Sequence, residues 1–160
     1  MHFIVITEPQ FTDNEATTIV QLLRWGVDLV HLRKPESSAD ELQKLVEAIP
    51  TAYHNRLVLH DHFDLAAHFT PHGLHLNRRN SVLPANHKGA ISQSCHSLDE
   101  VKVYKTICDY VFLSPIFNSI SKQGYASSFT SDTLSEAKEH GIIDQKVVAL
   151  GGITASNIDK

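Results

Sequence analysis

The feature that most constrains the fold of this chain is a series of short apolar runs rich in β-branched residues. Each run is too short for an α-helix and is typical of a strand buried in a sheet. Seven of them follow one another along the chain, at residues 3–6, 29–32, 57–59, 74–76, 90–92, 110–113 and 147–150.

Helical patterns lie between several of these runs. Residues 14–25 and 38–49 carry apolar side chains at the spacing of one helix face, and Ser37 or Ser38 is suited to cap the second helix. Residues 98–105 and 134–140 repeat the pattern, and Gly141 suits the left-handed position after a helix. This alternation predicts an α/β fold with right-handed crossovers and a parallel sheet.

Two architectures fit such an alternation, an open doubly wound sheet and a closed (β/α)8 barrel. Seven strands are many for an open sheet in a chain of 160 residues. The segment after the first strand, residues 7–10, also lacks the glycine-rich fingerprint of dinucleotide-binding folds. We therefore predict a TIM-type barrel.

Composition narrows the range of partners. Residues 1–160 are of a size to form a single domain, and 42% of them are hydrophobic. A formal net charge of -4 provides no basic field for nucleic acid or an anionic membrane. Cys95 and Cys108 have no CxxC spacing and are interpreted as buried thiols in a cytoplasmic protein.

Polar residues and glycines follow almost every predicted strand. Because the carboxyl ends of parallel strands meet at the same edge of a sheet, groups far apart in sequence are expected to form one site there. The segments concerned are 31–34, 60–62, 77–80, 92–96, 114–122 and 151–154.

Six of these strand ends carry a family resemblance. In chain order they read VDLVHLR (27–33), LHD (59–61), GLHL (73–76), SCHS (94–97), LSPIF (113–117) and ALGGIT (149–154). Their order and spacing resemble the strand-end motifs of thiamine phosphate synthases and of the related thiazole tautomerases of the TenI type. The resemblance extends over nearly the whole chain.

What the resemblance implies is a (β/α)8 barrel that joins hydroxymethylpyrimidine diphosphate to thiazole phosphate and releases pyrophosphate. Mg²⁺ and basic side chains would stabilise the leaving diphosphate, and backbone amides would hold the second phosphate. Barrels of this type have eight strands in about 200 residues or more. With seven predicted strands, the last βα unit of this chain is expected to be missing or truncated. The partners implied are small phosphorylated substrates and a second copy in a homodimer.

The resemblance also implies roles for individual residues. Asp61 and Asn80 take the positions of the two metal-binding aspartates. Arg33, Ser94 and Lys122 take the positions of catalytic residues. The substrate-binding positions are His31, Lys34, His60, Arg78, Arg79, Ser119, Ser121, Gly151 and Gly152.

Several positions depart from the family pattern. His31 replaces a glutamine, His60 replaces an asparagine that contacts the pyrimidine, and Asn80 replaces an aspartate. Asn80 offers a metal only a neutral carbonyl, whereas Arg78 and Arg79 can bind a diphosphate directly. The histidine of the tautomerases is replaced by Pro115.

These departures leave alternatives open. The chain is a divergent relative of the tautomerases, or a protein that binds thiazole phosphate or thiamine phosphate without catalysis, or another isomerase with His60 or His96 as acid or base. Asp61 can also be interpreted as a helix cap, and His75 as part of the barrel interior.

Overall fold

The computed structural model describes residues 2–118 and 129–158. Its contacts divide the chain into two compact units, Met1–Ala90 and Ile91–Lys160. The single domain predicted over 1–160 stays a prediction.

The first unit alternates four strands with helical segments. Neighbouring strands pair in parallel, and Ile6, His31 and Val58 share one register row. Leu59 in turn pairs with Leu74. The elements are β1 (Ile4–Ile6), α1 (Glu15–Arg24), β2 (Leu29–Leu32), α2 (Ala39–Glu47), a 3₁₀ segment (Thr51–Arg56), β3 (Leu57–Leu59), a second 3₁₀ segment (Phe63–Ala67) and β4 (Gly73–Leu76).

Local chemistry explains where α2 begins. The Ser38 hydroxyl accepts a hydrogen bond from the Glu41 amide, and the Glu41 side chain accepts one from the Ser38 amide. This reciprocal arrangement is a capping box, and it selects Ser38 rather than Ser37 as the cap. The apolar face of the helix buries Leu42 and Val46.

In the second unit, the residues that the structure describes form three strands and two helices. Its strands also pair in parallel, with Cys95 opposite Leu113 and Leu113 opposite Ala149. Cys95 and Cys108 are buried free thiols in the core of this unit, as expected from the sequence. The elements are β5 (Ala90–Cys95), α3 (Leu98–Tyr104), β6 (Tyr110–Leu113), α4 (Ser131–Glu139) and β7 (Val147–Ala149).

All seven predicted strands are present. One strand boundary and one helix boundary differ from the predicted positions by several residues. Strand β5 continues to Cys95 because its polar residues pair with β6, which the apolar pattern alone does not indicate. Helix α4 begins at Ser131 because the Thr130 hydroxyl accepts a hydrogen bond from the Thr133 amide. Gly141 follows this helix with a φ of 68°, the left-handed conformation expected there.

Among the described residues, no helix has the length and apolar character that a membrane span requires.

Candidate active site

Asp61 is the centre of a polar network at the carboxyl ends of β2, β3 and β4. It follows β3 and is only 4% exposed. Its Oδ1 accepts hydrogen bonds from Arg79 Nε at 3.2 Å, Arg79 Nη2 at 2.9 Å and Asn80 Nδ2 at 3.1 Å. Its Oδ2 accepts one from the Lys34 amide at 3.1 Å. The following 3₁₀ segment has His62 at its N-cap and no side-chain cap, so the interpretation of Asp61 as a helix cap is wrong.

A tight turn after β4 presents the arginine to Asp61. Asn77 Oδ1 accepts hydrogen bonds from the amides of Arg79 and Asn80, and Asn77 Nδ2 donates to the His60 carbonyl at 2.7 Å. The turn is therefore bonded to the end of β3 through Asn77, a residue to which the family resemblance assigned no role. Arg78 is exposed on the same turn.

Lys34 has an internal partner. Its Nζ donates to the Glu15 carboxylate at 2.7 and 2.9 Å and to the carbonyls of Glu8 and Gln10. The residue is 0% exposed, and its Nζ lies 4.7 Å from the centre of the Phe11 ring. Its ammonium therefore holds the segment after β1 against the end of β2. The predicted contact with substrate stays a prediction.

Three buried histidines lie in or directly after the same three strands, β2, β3 and β4. His31 Nδ1 and His60 Nε2 are 2.8 Å apart and share a hydrogen bond. His75, inside β4 as expected, stacks on His60 with ring centres 4.1 Å apart. Burial lowers the pKa of His31 and His60 well below the usual value and lowers the pKa of His75 to about 4. All three imidazoles are therefore neutral at neutral pH.

Arg33 lies at the edge of the same region. It is half-buried, and its amide donates to Thr7 Oγ1 at 3.0 Å. Burial lowers the pKa of His60 most, followed by the neighbouring His75 and His31. The positive charges of Arg33 and Arg79 lower this pKa further. The first unit thus brings together Arg33, Lys34, His60, Asp61, Arg79 and Asn80.

The described residues at the ends of β5 and β6 include polar side chains. Ser94 is half-buried in β5, and His96 follows that strand with its side chain exposed. His96 Nδ1 lies 3.0 Å from the Ser114 carbonyl, at a distance suited to a hydrogen bond donated by Nδ1–H. The peptide bond between Ser114 and Pro115 is cis.

Gly151 and Gly152 form the tight turn expected after β7, with φ angles of 94° and 67°. A Cβ on Gly152 would lie 2.5 Å from the Asn118 carbonyl oxygen, and one on Gly151 would lie 2.9 Å from Pro115. Asn157 Nδ2 donates to the Gly152 carbonyl. Close packing against residues 115–118 therefore requires glycine at both positions. Ser119, Ser121 and Lys122 lie outside the described residues.

Comparison with known proteins identifies the family. The family model described as thiamine monophosphate synthase matches residues 2–160. The chain belongs to the thiamine monophosphate synthase family. The match therefore confirms the family predicted from the strand-end motifs.

Individual relatives of the thiamine monophosphate synthase family agree with this assignment. A putative thiamine-phosphate synthase 2 of Aquifex aeolicus is 30% identical over 98% of this chain and 87% of its own length. A thiamine-phosphate synthase of Shouchella clausii is 29% identical over 86% of this chain and 69% of its own length.

A solved structure in this family confirms the fold class. The crystal structure of thiamine phosphate pyrophosphorylase from Bacteroides thetaiotaomicron superposes with a TM-score of 0.89 at 44% identity, covering 98% of this chain and 75% of that chain. The described residues thus form seven strands of a TIM-like α/β fold. It is a thiamine phosphate synthase-like member of an enzyme family of transferases, with a role in thiamine biosynthesis.

Chemistry in the thiamine monophosphate synthase family depends in general on Mg²⁺. The predicted ligands Asp61 and Asn80 do not fit that ion in the arrangement observed. Both Asp61 oxygens accept N–H groups, Asn80 presents its amide nitrogen, and the Arg79 guanidinium is 2.9 Å from the carboxylate. A dication needs oxygen lone pairs at this point and would be repelled by the guanidinium.

Glu15 is a site residue that no pattern in the sequence indicated. A glutamate in the first turn of a helix is common and indicates only a favourable helix dipole. Its burial beside Lys34 depends on how the segment after β1 folds back over β2, which no local pattern reports.

Proposed function

We propose that this chain catalyses the joining of hydroxymethylpyrimidine diphosphate to thiazole phosphate. The thiazole nitrogen forms a bond to the pyrimidine methylene carbon. The bond from that carbon to the diphosphate oxygen breaks, and pyrophosphate leaves with the electron pair. The observation that carries the proposal is the Asp61 network at the strand ends of the first unit, in a chain of this family.

The leaving diphosphate requires positive charge and N–H donors. Arg79 offers both, because a guanidinium has more donors than the two groups it directs at Asp61, and 44% of its side chain is exposed. Asp61 is a positioning residue in this scheme, since its buried carboxylate orients the guanidinium. Arg78 is exposed on the same turn and supplies a second cation.

Lys34 supports the site from inside the protein. Its ion pair with Glu15 and its bonds to the carbonyls of residues 8 and 10 hold the loop after β1. Its backbone amide donates to Asp61, so a change in that loop alters the orientation of the carboxylate. We assign Lys34 a positioning role.

The second substrate carries the other phosphate. By the family pattern, the Gly151–Gly152 turn with Ser119, Ser121 and Lys122 would bind the thiazole phosphate, and Ser94 and Arg33 would act near the reacting atoms. His31 and His60 would lie against the pyrimidine. The partners of the chain in this proposal are small phosphorylated molecules and a second copy of itself, with no role for nucleic acid or a membrane.

Product formation tests the proposal. The full chain is incubated with both substrates, once with Mg²⁺ and once with a chelator, and thiamine phosphate and pyrophosphate are measured together. We expect both products in equal amounts. The absence of product above background in both conditions would remove the synthase assignment.

Variants of Arg79 test the role of its guanidinium. Arg79→Met should lower kcat/KM by about 100-fold, the loss typical of removing a donor to developing charge. Arg79→Lys should recover part of this loss because it restores the charge without the forked geometry. Arg24→Met, at an exposed arginine bonded to Tyr53, is the control and should leave kcat/KM unchanged. Equal rates for Arg79→Met and the control would exclude Arg79 from the diphosphate site.

A binding protein without catalysis is the second candidate. It is favoured by the Asp61 carboxylate and the Lys34 ammonium, because both groups bind protein partners rather than facing a metal or a substrate. Calorimetry with thiamine phosphate and with pyrophosphate separates the two candidates. Micromolar binding without turnover supports this function, and no binding of either ligand excludes it.

A further inference from the structure

Three histidines converge from consecutive strands of the first unit. His31 lies in β2, His60 follows β3 and His75 lies in β4. Their residues are 0%, 4% and 2% exposed, respectively. A buried cluster of three imidazoles is unusual, because each polar ring in the interior must find a partner.

Nitrogens of the three rings lie close together. One nitrogen from each histidine can be chosen so that all three nitrogens lie within 4.8 Å of one another. The ring centres of His31 and His60 are 5.1 Å apart, and those of His31 and His75 are 5.5 Å apart, both in edge-on geometry. His31 and His60 face each other through ring nitrogens, since His31 Nδ1 and His60 Nε2 are 2.8 Å apart, whereas His60 and His75 stack face to face with ring centres 4.1 Å apart.

The chemistry of these groups suits a transition metal. Imidazole binds metals in its neutral form, which burial favours for all three side chains. A set of imidazoles prefers Zn²⁺, Co²⁺, Ni²⁺ or Cu²⁺ over Mg²⁺, which prefers oxygen ligands. This preference is opposite to that of the predicted Asp61 and Asn80 site.

We propose that His31, His60 and His75 form a binding site for a divalent transition-metal ion of the zinc class. Three protein nitrogens leave a fourth position for water or a substrate atom, as in three-histidine zinc sites. Zinc–nitrogen bonds of about 2.0–2.1 Å require the three nitrogens to draw closer than 4.8 Å, by side-chain rotation. The hydrogen bond between His31 and His60 is exchanged for metal bonds in this step.

Neighbouring charges determine the affinity that we expect of this site for the metal ion. Arg33 and Arg79 are close enough to His60 to disfavour positive charge there. The adjacent Asp61 carboxylate offsets them, although it also pairs with Arg79. We therefore expect micromolar affinity, weaker than in sites surrounded by carboxylates.

Metal titration of the full chain tests the proposal. After treatment with a chelator and its removal, Zn²⁺ should bind with one equivalent per chain by calorimetry, and it should raise Tm. Co²⁺ should give visible absorption bands of the intensity typical of four-coordinate nitrogen sites. This measurement uses the unaltered protein, so it does not depend on whether variants fold.

Matched variants locate the site. His75→Gln and His31→Gln should each weaken Zn²⁺ binding by more than about 10-fold. His54→Gln is the control, because His54 is also buried but binds the Val46 and Ile49 carbonyls away from the cluster. If His54→Gln does not fold, His140→Gln, at an exposed histidine of the second unit, provides a second control.

Two outcomes would overturn the proposal. One is the lack of saturable Zn²⁺ binding and of Co²⁺ bands in the unaltered chain. The other is Zn²⁺ affinity that the His31 and His75 variants do not change. Neither outcome bears on the synthase activity, which is measured separately as product formation.

Discussion

The strand ends of the two units are built differently. In the first unit, buried side chains bond to one another, with Asp61 joined to Arg79 and Lys34 joined to Glu15. In the second unit, the strand ends depend on backbone conformation, with two glycines in left-handed conformations packed against residues 115–118. The first arrangement requires complementary charges, whereas the second requires the absence of a Cβ.

This difference indicates which substitutions each region tolerates. A buried ion pair is sensitive to the loss of either partner, because the remaining charge has no compensation. A glycine turn is insensitive to charge but sensitive to any added atom. The two regions should therefore respond to different perturbations.

Loss of the Lys34 ammonium should have the largest effect on stability. Lys34→Met leaves the buried Glu15 carboxylate without its cation, and we expect the free energy of unfolding to fall by about 3–5 kcal/mol. Urea denaturation followed by circular dichroism measures this change.

Two further variants sharpen the result. The double variant Lys34→Met with Glu15→Leu should recover part of the lost stability, since it removes both charges. Lys102→Met is the control, because the pair of Lys102 with Asp99 is exposed and should leave the midpoint unchanged. A Lys34→Met protein as stable as the control variant would show that the ion pair does not stabilise the first unit.

Acid should destabilise the first unit through its buried histidines. Their folded pKa is below the unfolded value of 6.5, so the unfolded chain binds more protons between that pH and the folded pKa. Stability should therefore fall as the pH falls from 6.5 toward about 4, the pKa of His75. The expected slope is about 1.4 kcal/mol per pH unit for each histidine.

Urea denaturation at several pH values, with a chelator present, measures this slope. His75→Leu should reduce it by about one histidine's share, roughly 1.4 kcal/mol per pH unit. His140→Gln, at an exposed histidine of the second unit, should leave it unchanged. Equal slopes for the two variants would show that buried His75 does not contribute to the pH dependence of stability.

An added methyl group at Gly152 should lower the stability of the second unit. Gly152→Ala places a Cβ 2.5 Å from the Asn118 carbonyl oxygen in a left-handed conformation. We expect a loss of about 1–3 kcal/mol from the backbone conformation alone, with steric overlap adding to it. Thermal and urea denaturation measure the change.

Gly141→Ala separates the two contributions. Gly141 has nearly the same φ, 68°, but nothing lies within 4 Å of the added Cβ. It should therefore lose only the conformational part, and the difference between the variants measures the packing part. If both variants lose the same stability, the contact with Asn118 does not determine the glycine requirement.

The sequence by itself determined the order of the elements and the residues at the strand ends. Apolar runs and capping residues act over a few positions, so the strand at 57–59 and a serine cap at Ser37 or Ser38 could be assigned from the sequence alone. The same local pattern placed His60 and Asp61 just after β3, because this strand ends where its apolar run ends.

Only the tertiary structure decided which groups meet. Asp61 bonds to residues 18 and 27 positions away, and Lys34 bonds to Glu15 19 positions away. These contacts depend on strand register and on the folding of the connecting loops. A shift of one residue would turn His31 to the other face of the sheet. No local pattern contains that information, and so the pairing of Asp61 with an arginine and the convergence of three histidines could not be predicted.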